Sequence, residues 1–252
     1  MQSAGLQDAK ESPVPIDPGY FKTEEDDHLL PNNQDYQKIV GKLLYIAVNS
    51  RPDIAAAISI LSRKVSCPTT RDWNELKRMV RYLKGTAELK LRLSSSGDSS
   101  GLIGYADADW AECRSDRKSN SGYVFKFNGG TIAWACRKQS CVSLSTAEAE
   151  FVALSEASQE AVWLQRLLKD LGEETKLILF DDYQSCLKML DSEKFSNRTK
   201  HIATRFHYAK DLKMKGVINY EYCPTENMVA DLLTKPLSRI RLDVLRKKCG
   251  FQ

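Results

Sequence analysis

At Ser94-Ser95-Ser96-Gly97-Asp98-Ser99-Ser100-Gly101 the hydrophobic period of this chain changes. Ahead of that stretch, from Asp35 to Leu93, apolar residues recur at helical spacing; behind it the first apolar runs are short and strand-like. A Ser/Gly-rich joint is a flexible connector, so two folding units are expected. We read residues 1–32 as an extended tail, 33–96 as a helical unit, 97–240 as an α/β domain and 241–252 as a basic C-terminal tail. The first tail carries Pro13, Pro15, Pro18 and Gly19 and the acidic run Glu24 to Asp27, with no period of either kind.

In the helical unit Ile39, Leu43, Leu44 and Ala47 share a face, Arg51-Pro52-Asp53 breaks the run, and Ile54, Ile58 and Leu61 mark a second helix. A third, Asp72 to Leu83, sets apolar Trp73, Leu76, Val80 and Leu83 against basic Lys77, Arg78, Arg81 and Lys84, a face that is either solvated or turned to phosphates. Beyond the joint, Leu102–Ala106 reads as a strand. Tyr123–Phe127 and Thr131–Ala135 flank Asn128-Gly129-Gly130, residues that accept positive φ and so signal a hairpin. Cys141–Leu144 is a further strand candidate. A long helix from Thr146 to Leu171, a strand at Leu177–Phe180, helices at Tyr183–Leu190 and Arg198–Lys215, a strand at Val217–Tyr222 and a short helix at Asn227–Leu233 follow. The order β-β-β-α-β-α-α-β-α implies a mixed sheet with helices packed against it.

Composition is that of an ordinary globular protein, 42% hydrophobic and 28% charged. A net charge of +4 neither demands nor excludes nucleic acid, so the placement of basic residues must decide. Seven cysteines without a Cys-x-x-Cys pair give neither a disulfide framework nor a zinc knuckle, and reduced thiols are expected. No apolar run approaches the roughly 20 residues of a membrane span, and no signal peptide is visible; a soluble protein of the cytoplasm or nucleus is expected.

Four carboxylates fall where this order of elements could bring them together: Asp107 at the end of the first strand, Glu150 in the first turns of the long helix, Asp182 after the fourth strand and Asp231 in the last helix. Strand ends and helix starts at one sheet edge are where ligands bind in α/β proteins. The apolar stripe Leu154, Ala157, Ala161, Leu164, Leu168 and Leu171 extends back one turn to Glu150, whereas Glu148 completes the capping-box pattern Ser145-Thr146-Ala147-Glu148. Scattered acids are usually solvated or capping, and Asp109, Asp116 and Asp181 lie close by as alternatives.

Longer strings decide between these readings. Gly104 to Ala111 (GYADADWA), Ser119 to Phe125 (SNSGYVF), Ile132-Ala133-Trp134 with Arg137-Lys138-Gln139, Ser143 to Leu154 (SLSTAEAEFVAL), Lys200-His201-Ile202 with His207, and Ala230 to Lys235 (ADLLTK) occur in this order. Upstream stand Ile39 to Tyr45 (IVGKLLY), Arg51 to Ile54 (RPDI) and Arg81 to Thr86 (RYLKGT). Over residues 33–240 the ordered set resembles the C-terminal region of a copia-type retrotransposon Pol polyprotein, the end of its reverse transcriptase followed by its ribonuclease H domain. The resemblance implies a ribonuclease H-like α/β fold, with 33–96 a helical remnant of the polymerase. It implies metal-dependent hydrolysis of the RNA strand of RNA–DNA hybrids, with Asp107, Glu150, Asp182 and Asp231 as the catalytic, metal-binding acids. Two departures stand out: Tyr183 follows Asp182 where the family usually has Asn, a bulk that could crowd the site, and Cys223 to Asn227 lacks the His found there in cellular ribonucleases H, as copia-type members do too, so it is no loss.

The cofactor implied is a pair of Mg²⁺ ions roughly 4 Å apart, with Mn²⁺ as a substitute, which suits four acids better than a Cys/His cage. Asp107 would bridge both ions, Glu150 and Asp182 hold one, and Asp231 the other. The basic run from Lys194 to Lys215 is either a solvated helix face or, as the resemblance favours, a handle for the hybrid backbone. The expected nucleic-acid contacts are Lys138, Arg198, Lys200, His201, Arg205 and His207. A Tyr-x-Asp-Asp polymerase hairpin is absent from the sequence, so DNA synthesis is not expected; the rest of a reverse transcriptase is a candidate partner, a membrane is not. The alternative is a silent or domesticated remnant that binds nucleic acid or protein without cutting.

Overall fold

The computed structural model describes residues 9–21, 28–93, 101–110, 116–191 and 203–252. The chain forms two compact units, one from the residues up to Leu91 together with Lys235–Gln252, the other from Arg92–Thr234.

The first unit is helical. Helix α1 (Gln34–Asn49) buries Tyr36, Ile39, Val40, Leu43 and Ala47, one apolar stripe; Leu44, expected on that stripe, is partly exposed. A 3-10 turn at Pro52–Ile54 leads into α2 (Ala55–Ser62). Helix α3 (Thr70–Gly85) begins with a full capping box between Thr69 and Asp72. Its buried positions are Asp72, Glu75, Leu76, Met79 and Tyr82, not the stripe of Trp73, Val80 and Leu83 that hydropathy suggested. The cause is polar pairing from afar. Tyr20 Oη donates to Asp72, the Asp17 amide donates to Glu75 at 2.8 Å, and Tyr82 Oη donates to Asp53 at 2.6 Å. Asp53 also takes a bidentate ion pair from Arg51, both bonds 2.8 Å.

Both expected tails are corrected. Val14, Ile16 and Tyr20 are buried, so the stretch 9–21 is packed. It also occupies part of the basic face of α3, because Arg78 pairs with Asp17 and Lys84 donates to the Ala9 carbonyl. The C-terminal residues form helix α8 (Arg239–Cys249), which buries Leu242, Leu245 and Cys249 and ends on Gly250 at φ 105°. That φ is a left-handed cap that glycine adopts without steric cost. Phe251 then pairs with Leu91 as an antiparallel bridge, and Arg246 donates to Tyr82 Oη at 2.9 Å.

The second unit holds strands β1 (Leu102–Ala108), β2 (Asn120–Phe127), β3 (Gly130–Lys138), β4 (Leu177–Asp181) and β5 (Asn219–Tyr222) in the order β3-β2-β1-β4-β5. Strands β1 to β3 are antiparallel, and β4 runs parallel to β1 and β5. Asn128 and Gly129 turn the β2–β3 hairpin at φ 47° and 89°. Helices α4 (Thr146–Asp170), α5 (Gln184–Asp191), α6 (Ala203–Met214) and α7 (Asp231–Thr234) complete the unit. Phe151, Leu154, Ala157, Ala161 and Leu164 of α4 pack on Leu102, Ala106, Phe125, Leu177 and Leu179 of the sheet, with Leu190, Phe206 and Leu212 joining the same core. Each large side chain buried there contributes about 1.5–3 kcal/mol. This is the α/β, ribonuclease H-like mixed sheet flanked by helices that the sequence led us to expect. Cys141–Leu144 is not a strand; Ser143 Oγ instead donates to buried Gln139 at 2.8 Å, and the chain turns directly into α4. Among the described residues no helix is long and apolar enough to cross a membrane.

Candidate metal centre

The alternation of β-strands decides which acids meet. In the parallel register Tyr105 pairs with Phe180; continued by two residues it sets Asp107 opposite Asp182, on one face of the sheet edge. Glu150 arrives from the start of α4. Ser145 caps that helix by accepting the Glu148 amide at 3.3 Å, and Glu150 Oε2 accepts the Ala108 amide of β1 at 2.8 Å. One carboxylate oxygen from each of Asp107, Glu150 and Asp182 lies within 4.8 Å of the other two. Asp107 and Glu150 are buried, while Asp182 is half-exposed and accepts Thr225 Oγ1 at 2.7 Å. The open side of the cluster is therefore the Asp182 side.

Asp231, the fourth expected acid, is buried at the start of α7 and is not one of this group of three. The same short helix ends in Thr234, whose hydroxyl donates to Asp107 Oδ2. Glu148 is separate, as the capping pattern implied, although its carboxylate accepts the amide of Leu144 (2.8 Å) and not that of Ser145.

Asp181 points to the opposite face, toward α4. One of its oxygens accepts the Tyr183 amide at 2.7 Å, and the other is buried without a hydrogen-bond partner among the described residues. Burial, reinforced by the charges of Asp182 and Asp107, raises its carboxyl well above the ordinary range despite that amide bond. Burial, with the charges of Asp181, Glu150 and Asp182, pushes the Cys186 thiol upward, so it is no nucleophile; its Sγ lies 3.3 Å from the Ala147 carbonyl. The Tyr183 ring packs against the hydrophobic core, which accounts for its tolerance beside Asp182.

Three carboxylates this close repel one another. At 4.8 Å and an effective dielectric near 20, each charged pair costs about 3–4 kcal/mol. Such an arrangement needs protons or a cation, and an all-oxygen donor set suits a hard divalent ion. The residues present fit such an ion.

The expected nucleic-acid contacts are placed less favourably. Lys138 is ion-paired to Asp116, and Arg205 reaches Glu156 at 4.0 Å, so neither cation is held out for phosphate alone. His207 is exposed and meets the Phe206 ring edge-on. Arg198, Lys200 and His201 lie outside the described residues. Sequence reasoning missed Thr234, Thr225 and Gln139. The signal available for Thr234 was its place in ADLLTK, three residues after a candidate acid, one helical turn.

No family model matches the chain. It is 36% identical over 217 residues to the "Retrovirus-related Pol polyprotein from transposon TNT 1-94" of Nicotiana tabacum, a match covering 86% of this chain. It is 34% identical over 223 residues, 88% of the chain, to the corresponding polyprotein from transposon RE2 of Arabidopsis thaliana. The chain belongs to the copia-type retrotransposon Pol polyproteins. It spans 16% and 15% of the length of these two Pol polyproteins. A third relative, "Secreted RxLR effector protein 161" of Plasmopara viticola, is 48% identical over 132 residues, 52% of this Pol chain and 92% of the effector. Among solved structures, LC11-RNase H1 isolated from compost is 18% identical, covers 54% of this chain and 93% of its own, and has a TM-score of 0.43.

Proposed function

We propose that Arg92–Thr234, the ribonuclease H domain of this Pol chain, hydrolyses the RNA strand of RNA–DNA hybrids with two divalent ions, Mg²⁺ in the first place. The observation that carries the reading is the convergence of Asp107, Glu150 and Asp182 at one sheet edge, in a chain of the Pol family. These three residues, with Asp231, would hold the ions. Bound there, the ions would supply an activated water and charge stabilisation for the leaving oxygen. The chain's own contribution is orientation. The Ala108 amide fixes one oxygen of Glu150, and the Thr225 hydroxyl fixes one of Asp182. Hybrid binding would draw on the basic run that includes Arg198, Lys200, His201, Arg205 and His207, with backbone neutralisation as the source of affinity.

The test is cleavage of a labelled hybrid by the purified chain with Mg²⁺, with Mn²⁺ and with chelator. Cleavage that needs the ion and leaves the DNA strand intact is the expected result. Cleavage unaffected by chelator, or none under any condition, overturns the proposal. A second reading, a protein that binds nucleic acid or a partner without cutting, is favoured by one observation. The effector relative matches this chain over 92% of its own length, so a short protein consisting almost wholly of related sequence exists. Under that reading neither the unmodified chain nor an Asp107 variant cuts, and the substitution alters affinity alone.

A further inference from the structure

We propose that Thr234 is a positioning residue for Asp107, and that the missing side chain at Gly122 is what allows it to reach. This rests on the metal-centre reading above. Thr234 is fully buried, as is Asp107, and its hydroxyl donates to Asp107 Oδ2. A buried hydroxyl facing a carboxylate donates its one proton there, so the bond ties down one oxygen and leaves the other directed elsewhere. Partners of this kind orient metal-ligating carboxylates and are needed for metal affinity.

The reach depends on how closely α7 sits on β2. Gly122 pairs directly with Asp107 across the β1–β2 ladder. A Cβ at Gly122 would stand 2.7 Å from Thr234 Cγ2, 2.8 Å from Leu233 Cβ and 3.3 Å from the Ala230 carbonyl oxygen. Atoms that close cannot coexist, so any side chain there drives α7 outward. The glycine of the SNSGYVF string and the threonine of the ADLLTK string therefore form one device: the first makes the room, the second uses it to hold the acid.

The experiment is titration of the full chain with Mn²⁺, followed calorimetrically, for the unmodified protein, Thr234→Val, Thr234→Ser and Gly122→Ala. Valine keeps the shape of threonine and removes the donor; serine keeps the donor and removes the methyl. Thr234→Val should weaken Mn²⁺ binding roughly tenfold, at the lower end of what loss of an outer partner costs, and Thr234→Ser should stay within about twofold. Cleavage by Thr234→Val should need correspondingly more Mn²⁺ to reach half its maximum and recover at saturation. Melting in chelator should separate Thr234→Val from the unmodified chain little, because shape is kept. Gly122→Ala retains the hydroxyl and should lose affinity nonetheless, since the hydroxyl is moved away. Equal affinity of Thr234→Val and the unmodified chain overturns the inference, as does a serine variant as weak as the valine one. Should Thr234→Val not fold, a folded Gly122→Ala variant with undiminished affinity overturns it instead. An unmodified chain that takes up no Mn²⁺ at all overturns the metal-centre reading itself, before any variant is compared.

Discussion

Asp107 and Asp181 lie on adjacent strands near the same sheet edge, yet the two-residue period of β-structure sends their carboxyls to opposite faces. Opposite consequences follow from neutralising each. Asp107→Asn keeps the volume and removes a charge the cation needs; hybrid cleavage should fall more than about a hundredfold, a loss of about 2.7 kcal/mol in transition-state stabilisation. Affinity for hybrid, measured in chelator, should hold or rise slightly, since a negative charge facing phosphate is gone. Asp181→Asn should leave Mn²⁺ binding and cleavage within a few-fold. Its effect belongs to stability. A carboxyl whose folded-state pKa is raised favours folding fully below its unfolded value and loses that contribution as pH climbs through the folded value. The unmodified chain should therefore lose ground to Asp181→Asn in chemical denaturation, in chelator, as pH rises above the ordinary carboxylate range. A difference that shrinks with rising pH would show that Asp181 is not the buried neutral acid described above.

At the scale of elements, α8 replaces a tail that the run of Arg and Lys suggested, and its buried leucines should matter. Leu245→Ala, at a fully buried position, should cost about 2–5 kcal/mol in denaturant unfolding of the helical unit. A change below about 0.5 kcal/mol would mean that α8 does not pack as described. Helix α4 was legible in the sequence because Leu154, Ala157, Ala161 and Leu164 are apolar and all face the sheet. The inward face of α3 was not, because Asp72, Glu75 and Tyr82 are polar residues buried by partners at Tyr20, Asp17 and Arg246. Periodicity of hydropathy cannot register a carboxylate whose hydrogen bond comes from fifty residues away. The same limit runs through the site. Asp107, Glu150 and Asp182 could be picked from strand ends and a helix stripe, whereas the Thr234 bond depends on the seating of α7, which the pattern of apolar residues does not encode. Likewise the pairing of Lys138 with Asp116 was invisible to a reading that counted charges along the chain.

For the whole molecule, the division into units predicts where the chain can be cut. The stretch 97–234 carries every candidate acid and Thr234, so that segment alone should cleave hybrid with Mg²⁺, while binding it more weakly than the full chain. An inactive segment beside an active full chain would show that the helical unit takes part in the chemistry. Synthesis makes the same division temporal. The sheet-bearing unit is one unbroken stretch of chain, Arg92–Thr234, and has all five described strands once residue 222 has emerged. The helical unit is begun before that stretch and completed after it, because Leu242, Leu245 and Phe251, which it buries, follow the stretch in the chain. While residues 92–234 are being made, its apolar surfaces wait on a helix that does not yet exist. A chain stopped by a nonsense codon after Thr234 should therefore hold a folded sheet while leaving the helical unit that precedes it open to protease and chaperone.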